Sequence, residues 1–406
     1  MKIFKEAFLY LRISLKDQFM NYLIVDLNIT LNGHKLGFVQ ETMNFLALHH
    51  ADSEHEFHFL VNEPLKKSDS NKFQVHYPGK SYQAKFDKYS GLKKYKEQWQ
   101  YIAVKAGQLD IHKVVLMEFD LYQAALGFDK DTAFDISGIW FRPYFRQRAI
   151  GLTLFEKVKF NIRRVQKKGL LKSSLRNSRL KKIFILNDQK TVDFMNEREG
   201  DRFAYLADPV FDYPCYKLTN IRDKYIIKDD RLILLIFGYM DERKNVVNVL
   251  KAIEKLSERE QKKICLMLVG KTAEHYEATL LEAIEKHNSE IQLFHIDEFV
   301  DNCEMEALFS QCDLVLRMNI NFFASSGIIG LAAKYDKPSL VSDYGIVAEL
   351  TEKYEMGRLV DPLKVDQIKK LFSSFIKEPD SWKIDGSAYY RDHNTKAFVE
   401  TLLQLN

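Results

Sequence analysis

The 406-residue chain has only four cysteines, no long apolar run and almost no surplus of charge. Its 60 Lys and Arg residues stand against 56 Asp and Glu, a net +4, which excludes a uniformly basic nucleic-acid coat. No stretch approaches the roughly 18 apolar residues that span a bilayer. In the first residues, MKIFKEAFLYLRISLKDQF, the charged Lys5, Glu6, Arg12, Lys16 and Asp17 interrupt any apolar core, so a secretory signal is not expected. Cys215, Cys265, Cys303 and Cys312 form neither a CxxC pair nor a metal-like spacing with His, and Cys265 lies inside the apolar run ICLMLV. A reducing cytoplasm fits that usage best. Nothing repeats at a solenoid period, and no GxGxxG follows an early strand, which disfavours a dinucleotide-binding dehydrogenase.

What is present is the composition of a soluble globular protein, 46% hydrophobic and 29% charged. At about 150 residues per domain the length predicts two or three domains. Short apolar runs alternate with longer helical segments, the pattern of α/β units around parallel sheets. Strands are expected at 22–28, 56–62, 113–119, 136–141 and 181–187 in the first half, and at 231–238, 262–270, 291–297, 313–319 and 337–343 in the second. Runs such as LILLIF, apolar on both faces, suit sheets covered by helices on both sides. Residues 207–231 carry two prolines and many charges with little periodicity, and read as an interdomain linker. The expected fold is α/β, with two doubly wound domains, 1–215 and 216–392, facing across a cleft. Ligands of such sheets bind beyond the carboxyl ends of the strands.

Three segments put chemistry at those ends. In IFGYMDERKNVVNVLKAI (236–253) a strand ends at Gly238, and Arg243 and Lys244 fall in the loop before a helix. Two adjacent cations there suit a diphosphate, although a basic pair is more often simply solvated. In DLVLRMNINFFASSGIIGLAAKYDKP (313–338), Ser325, Ser326 and Gly327 open an apolar helix, and Arg317 at the strand end reaches the same volume. A helix start with a close-approach glycine makes an anion site, or merely an ordinary capped helix. In KPSLVSDYGIVAEL (337–350), Glu349 sits at a helix start after Gly345, where it complements the helix dipole or accepts sugar or ribose hydroxyls.

The order and spacing of these segments resemble the C-terminal domain of GT-B glycosyltransferases, specifically the large retaining family numbered four. The residues that carry the likeness are Gly238 with Arg243-Lys244, Val269-Gly270, Phe299-Val300, Asp313, the run Ser342, Asp343, Gly345, Glu349, and the closing segment Gly357 to Pro362. It covers about residues 231–375. By that resemblance the second domain binds a nucleotide sugar. Lys244, with Arg243 and Arg317 nearby, would hold the donor diphosphate, and Ser325, Ser326 and Gly327 would cradle the distal phosphate. Gly238, Phe299, Val300 and Glu349 would form the base and ribose region. No metal or other cofactor is expected, since Lys, Arg and a helix N-terminus supply the charge and no Asp-x-Asp sits at an obvious strand end. The last helix, about 393–406, would pack back on the first domain. Two departures stand out. The family's paired glutamates fall here on Phe323 and Leu331, and its first-domain histidine has no counterpart after the strand ISGIWF, where Arg142-Pro143-Tyr144 follows. His34 is a substitute for it, or an exposed loop histidine.

Residues 163–182 hold nine Lys or Arg and no acid, with Val165, Leu170, Leu171, Leu175 and Leu180 interspersed. Such a basic amphipathic stretch fits an anionic membrane surface or an acceptor, with Arg163, Arg164, Lys167 and Lys168 as contacts, or is a solvated helix over the core. No nucleic-acid module accompanies it. The leading expectation is a cytoplasmic, metal-independent, retaining glycosyltransferase that moves a sugar from a nucleotide donor to a glycan or lipid-linked acceptor in surface-glycan assembly, peripheral to the inner face of the membrane. The alternative takes the missing glutamates as decisive: a catalytically weak relative that binds nucleotide or glycan and supports a partner enzyme. An epimerase on the same plan is disfavoured for want of cleft carboxylates.

Overall fold

The computed structural model describes residues 19–29, 34–65, 73–129, 131–150, 152–213 and 215–405. Two wholly parallel sheets organise them. The first has strands β1 (Asn21–Asp26), β2 (Glu56–Val61), β3 (Phe73–His76), β4 (Lys113–Leu116), β5 (Asp135–Trp140), β6 (Leu180–Leu186) and β7 (Phe203–Leu206), in the order β3-β2-β1-β4-β5-β6-β7. The second has β8 (Leu232–Phe237), β9 (Ile264–Val269), β10 (Gln292–Ile296), β11 (Leu314–Arg317), β12 (Ser339–Ser342) and β13 (Gly357–Val360), in the order β10-β9-β8-β11-β12-β13. In each sheet the order reverses beside the first strand of the domain, between β1 and β4 and between β8 and β11. These switch points open the crevices in which such sheets bind ligands.

Every residue of β1 and β9 is buried, because a parallel sheet clothed on both faces leaves no strand face to water. The two-residue period then divides each strand between two cores. Leu23 and Val25 pack with Trp99, Phe119 and Tyr122, whereas Tyr22 and Ile24 pack with Phe38, Phe57 and Phe398. Leu234 and Ile236 divide from Ile233 and Leu235 in the same way. All ten strands expected from apolar runs are present. The additional ones, β3 (FQVH), β7 (FAYL) and β13 (GRLV), have four residues each, with at most two of them buried, so each is too short to stand out as a strand.

The final helix, Thr395–Leu403, packs on the first domain. Phe398 meets Phe38 edge-on at 5.4 Å, and the Lys113 amine donates to the Leu403 carbonyl at 3.0 Å. Residues 207–231 are more than a tether. Asp208, Val210 and Phe211 are buried, the Val210 amide donates to the His393 carbonyl at 2.8 Å, and Val210 packs so tightly on Gly330 that a Cβ there would lie 2.6 Å from its Cγ2.

Two expectations need correction. Cys215 and Cys303, 88 residues apart, are disulfide-bonded, which the expectation of a reducing cytoplasm did not include. The fold brings the linker against the helix Asn302–Gln311, which no spacing rule could reveal; Cys265 and Cys312 remain free and buried. Nor is the basic run 163–182 one amphipathic helix. It spans the end of a helix that begins earlier, Leu154–Ser174, then a turn, then the start of β6. Thr153 and Glu156 form a capping box at that helix start. Leu171 and Leu180 belong to the core, whereas Leu154, Phe155, Val158, Ile162 and Val165 are 54–83% exposed. The helix anchors through its C-terminal half, where Gly127 approaches so closely that a Cβ there would collide with Ser173.

Candidate functional site

The site forms where β8 and β11 end. Beyond β8 the chain turns at Gly238, whose φ of 99° favours glycine. Asp241 then caps the 3-10 turn Glu242–Lys244, its carboxylate accepting from the Arg243 amide at 3.1 Å and from Arg243 Nε at 2.8 Å. Asn245, left-handed at φ 62°, reverses the chain into the helix Val246–Glu254, and its side-chain amide donates to the Pro362 carbonyl at 2.7 Å. This turn folds Lys244 back over the strand end. Its ammonium donates to the Phe237 carbonyl and lies 3.2 Å from where a Cβ on Gly238 would be. Any side chain at 238 would press on it. Burial, followed by the nearby Arg317 guanidinium, drives the Lys244 pKa well below the usual lysine value, with Asp241 opposing.

Arg317 closes β11 and is 7% exposed. Its Nε donates to Ser326 Oγ at 3.0 Å and its guanidinium lies 4.5 Å from the centre of the Phe322 ring, but buried Nη1 has no hydrogen-bond partner among the described residues. Burial, then Arg243, pushes the Arg317 pKa down to about 9, so the group stays cationic at neutral pH. Ser326 precedes the helix Gly327–Lys334 but does not cap it, since its hydroxyl accepts from Arg317 instead. The first-turn amides therefore lack a side-chain cap at the positive end of the helix.

Gly238, Arg243, Lys244, Arg317, Ser325, Ser326 and Gly327 line one cleft of about 300 Å³. The first domain supplies the facing wall, including Phe38, Phe141, Asp208 and Tyr213. Ser325 links the walls, donating to Asp208 Oδ2 at 2.6 Å and accepting from Asn187 Nδ2 at 2.9 Å. Burial raises the Asp208 carboxyl to about pKa 6, against the opposing bond from Ser325. Sequence reading missed Asp208 because it follows the short β7, within a stretch read as linker.

Three candidates lie elsewhere. Phe299, half exposed, and Val300, packed on the core, sit in the loop after β10 and do not line the cleft. Glu349 lines a neighbouring interdomain pocket of about 600 Å³, ion-paired to Arg146 and, at 3.1 Å, to Lys190. Burial acts to raise its pKa, but these bonds hold the carboxyl below the usual range. Arg146 also reaches Asp188 at 2.5 Å, so the pairs join the two domains. Arg163, Arg164, Lys167 and Lys168 lie on the helix Leu154–Ser174; Arg164 and Lys168 border a groove of about 600 Å³ with Phe145, Val165 and Phe194.

At the positions where the resemblance expects glutamates, Phe323 is 7% and Leu331 4% exposed, and both pack in apolar cores. The side chain of His34 lies outside the described residues. Among the described residues, no group of three or more His, Cys, Asp or Glu side chains converges, and no helix is long and apolar enough to cross a membrane.

Two parallel-sheet α/β domains, with a cationic cleft at the switch point of the second, define the GT-B class of architecture. Residues 218–388, which make up most of the second domain, match the family described as Glycosyl transferases group 1. Solved structures of the same fold span both domains. WaaG, a glycosyltransferase involved in lipopolysaccharide biosynthesis, aligns at TM-score 0.61 and 15% identity over 95% of this chain and 98% of its own. Sucrose-phosphate synthase from Thermosynechococcus elongatus aligns at 0.67 and 12% over 95% and 98%. A UDP-forming trehalose-phosphate synthase from Burkholderia xenovorans aligns at 0.65 and 10% over 95% and 99%. No curated protein sequence matches the chain.

Proposed function

We propose that this glycosyltransferase takes a nucleoside-diphosphate sugar in the cleft at the ends of β8 and β11 and transfers the sugar, with retention, to a glycan or lipid-linked acceptor in surface-glycan assembly. The observation that carries the reading is a pair of buried basic side chains that no carboxylate among the described residues ion-pairs, the nearby Asp241 being paired to Arg243. Among the described residues, Lys244 donates only to a backbone carbonyl and Arg317 Nη1 has no partner. A buried charge without a counterion is costly, and a diphosphate supplies the missing negative charge. The uncapped start of Gly327–Lys334 adds amide donors to the same volume.

Transfer breaks the bond between the anomeric carbon and the distal phosphate oxygen, so negative charge builds on the diphosphate. Lys244 and Arg317, already buried and oriented at the cleft, stabilise that charge more than they stabilise the ground state, and no metal is required. We also propose that the domains divide near residue 215. The anionic-membrane reading is supported by the helix Leu154–Ser174. Its exposed Leu154, Phe155, Val158, Ile162 and Val165 recur at three- and four-residue spacing, flanked by cations from Lys157 to Lys172. Phe323 and Leu331 favour a second reading, a relative that binds nucleotide without turnover. The test is thermal shift with UDP and GDP, followed by turnover of the sugar donors. Stabilisation with turnover supports the first reading, stabilisation alone the second, and no stabilisation by either diphosphate removes both.

A further inference from the structure

With Phe and Leu at 323 and 331, no carboxylate of the second domain lines this cleft, yet the cleft does contain one. Among its lining residues Asp208 is the sole acid, contributed by the opposite wall. We propose that Asp208 binds a hydroxyl of the donor sugar and so determines recognition of the sugar portion; this rests on the nucleotide-sugar reading above.

The position follows from connectivity. Asp208 Oδ2 accepts from Ser325 Oγ at 2.6 Å, in the turn proposed to cradle the distal phosphate. The transferred sugar is joined to that phosphate, so it occupies the space between the Ser325–Gly327 turn and the first-domain wall. Oδ1 of Asp208 has no donor among the described residues, and a sugar hydroxyl is a donor of the right kind. The backbone is held rigid for this purpose. The Asp208 amide donates to Asn187 Oδ1 at 3.0 Å, and the same oxygen accepts from Tyr205 at 3.1 Å. A carboxylate beside an anion site would ordinarily repel the ligand. Here Lys244 and Arg317, with Arg243 already paired to Asp241, outweigh Asp208, and Asp208 faces the uncharged end of the donor.

A purely structural Asp208, one that only ties the domains through Ser325, would affect nucleotide and sugar alike. The two roles separate by calorimetry of the full-length protein with UDP, GDP, UDP-glucose and GDP-mannose. In the wild type, one sugar nucleotide binds more tightly than its parent diphosphate. In Asp208→Asn that increment falls by about tenfold or more, the loss expected for one charged hydrogen bond, while diphosphate affinity changes less than about twofold. An unchanged sugar increment, or equal losses for diphosphate and sugar nucleotide, overturns the proposal. Wild-type protein that binds neither diphosphate overturns the donor reading itself, which is a different failure. Should Asp208→Asn not fold, Asp208→Glu retains the charge and displaces it by one methylene. The sugar increment then falls with the diphosphate affinity kept, and an unaltered increment again refutes the assignment.

Discussion

Replacing Lys244 by methionine should separate binding from stability in a way few surface models allow. The thioether keeps the stem's volume while removing an ammonium that is 9% exposed and repelled by Arg317 and Arg243. Two terms then oppose each other in the free protein. Losing the bond to the Phe237 carbonyl costs about 1 kcal/mol, and relief of a desolvated, repelled charge returns a comparable amount. The unliganded variant should therefore melt within a few degrees of the wild type. Binding has no such compensation. A charge-assisted bond to a diphosphate is worth about 2–3 kcal/mol, so UDP or GDP affinity should fall roughly 30- to 150-fold at 1.4 kcal/mol per decade. Lys244→Ala should likewise abolish nearly all transfer. The assay is thermal shift at fixed diphosphate, backed by calorimetry. A variant that binds the diphosphate within about threefold of the wild type, or keeps most of the transfer activity, refutes the assignment of this cleft.

Three further outcomes follow from the same geometry. Leu331→Glu, which restores a glutamate that the family pattern expects, should destabilise the fold by about 3 kcal/mol in chemical denaturation, because it buries a carboxylate where Leu331 packs in an apolar core at the edge of the cleft. Asp208 and Asp120 both have carboxyl groups raised to about pKa 6 by burial. A folded-state pKa above the unfolded value means the native state holds the extra proton, so stability is greatest below about pH 4 for these groups and declines as pH rises through about 6. Replacing each by Asn should flatten that part of the stability–pH curve. Phe155→Ser with Val158→Ser should leave the melting temperature unchanged, since both side chains are exposed, and should reduce cosedimentation with anionic vesicles at low salt. Unaltered vesicle binding would remove the helix from the membrane reading.

Local signals carried much of the architecture. Apolar runs such as LILLIF and ICLMLV marked the central strands because a strand buried on both faces cannot alternate with polar residues. The four-residue strands β3, β7 and β13 were too short, or too polar, to stand out in this way. In the cleft, Gly238, Arg243, Lys244, Arg317 and Ser325–Gly327 were legible because each follows a strand end within its own domain, where chain order and spatial order coincide. Phe299 and Glu349 satisfied the same spacing, but loop path and ion pairing lead them elsewhere.

The sequence by itself determined the central strands and the cationic loops at their ends, since apolar runs and loop composition are local, whereas strand order and the switch points come from pairing segments 80 or more residues apart. Only the tertiary structure decided what depends on distant segments meeting. It joined Cys215 to Cys303, turned Glu349 toward Arg146 and Lys190, and set Asp208 against Ser325 across the cleft. It also decided which face of the helix Leu154–Ser174 is free, because exposure is a property of what packs alongside and not of the residue.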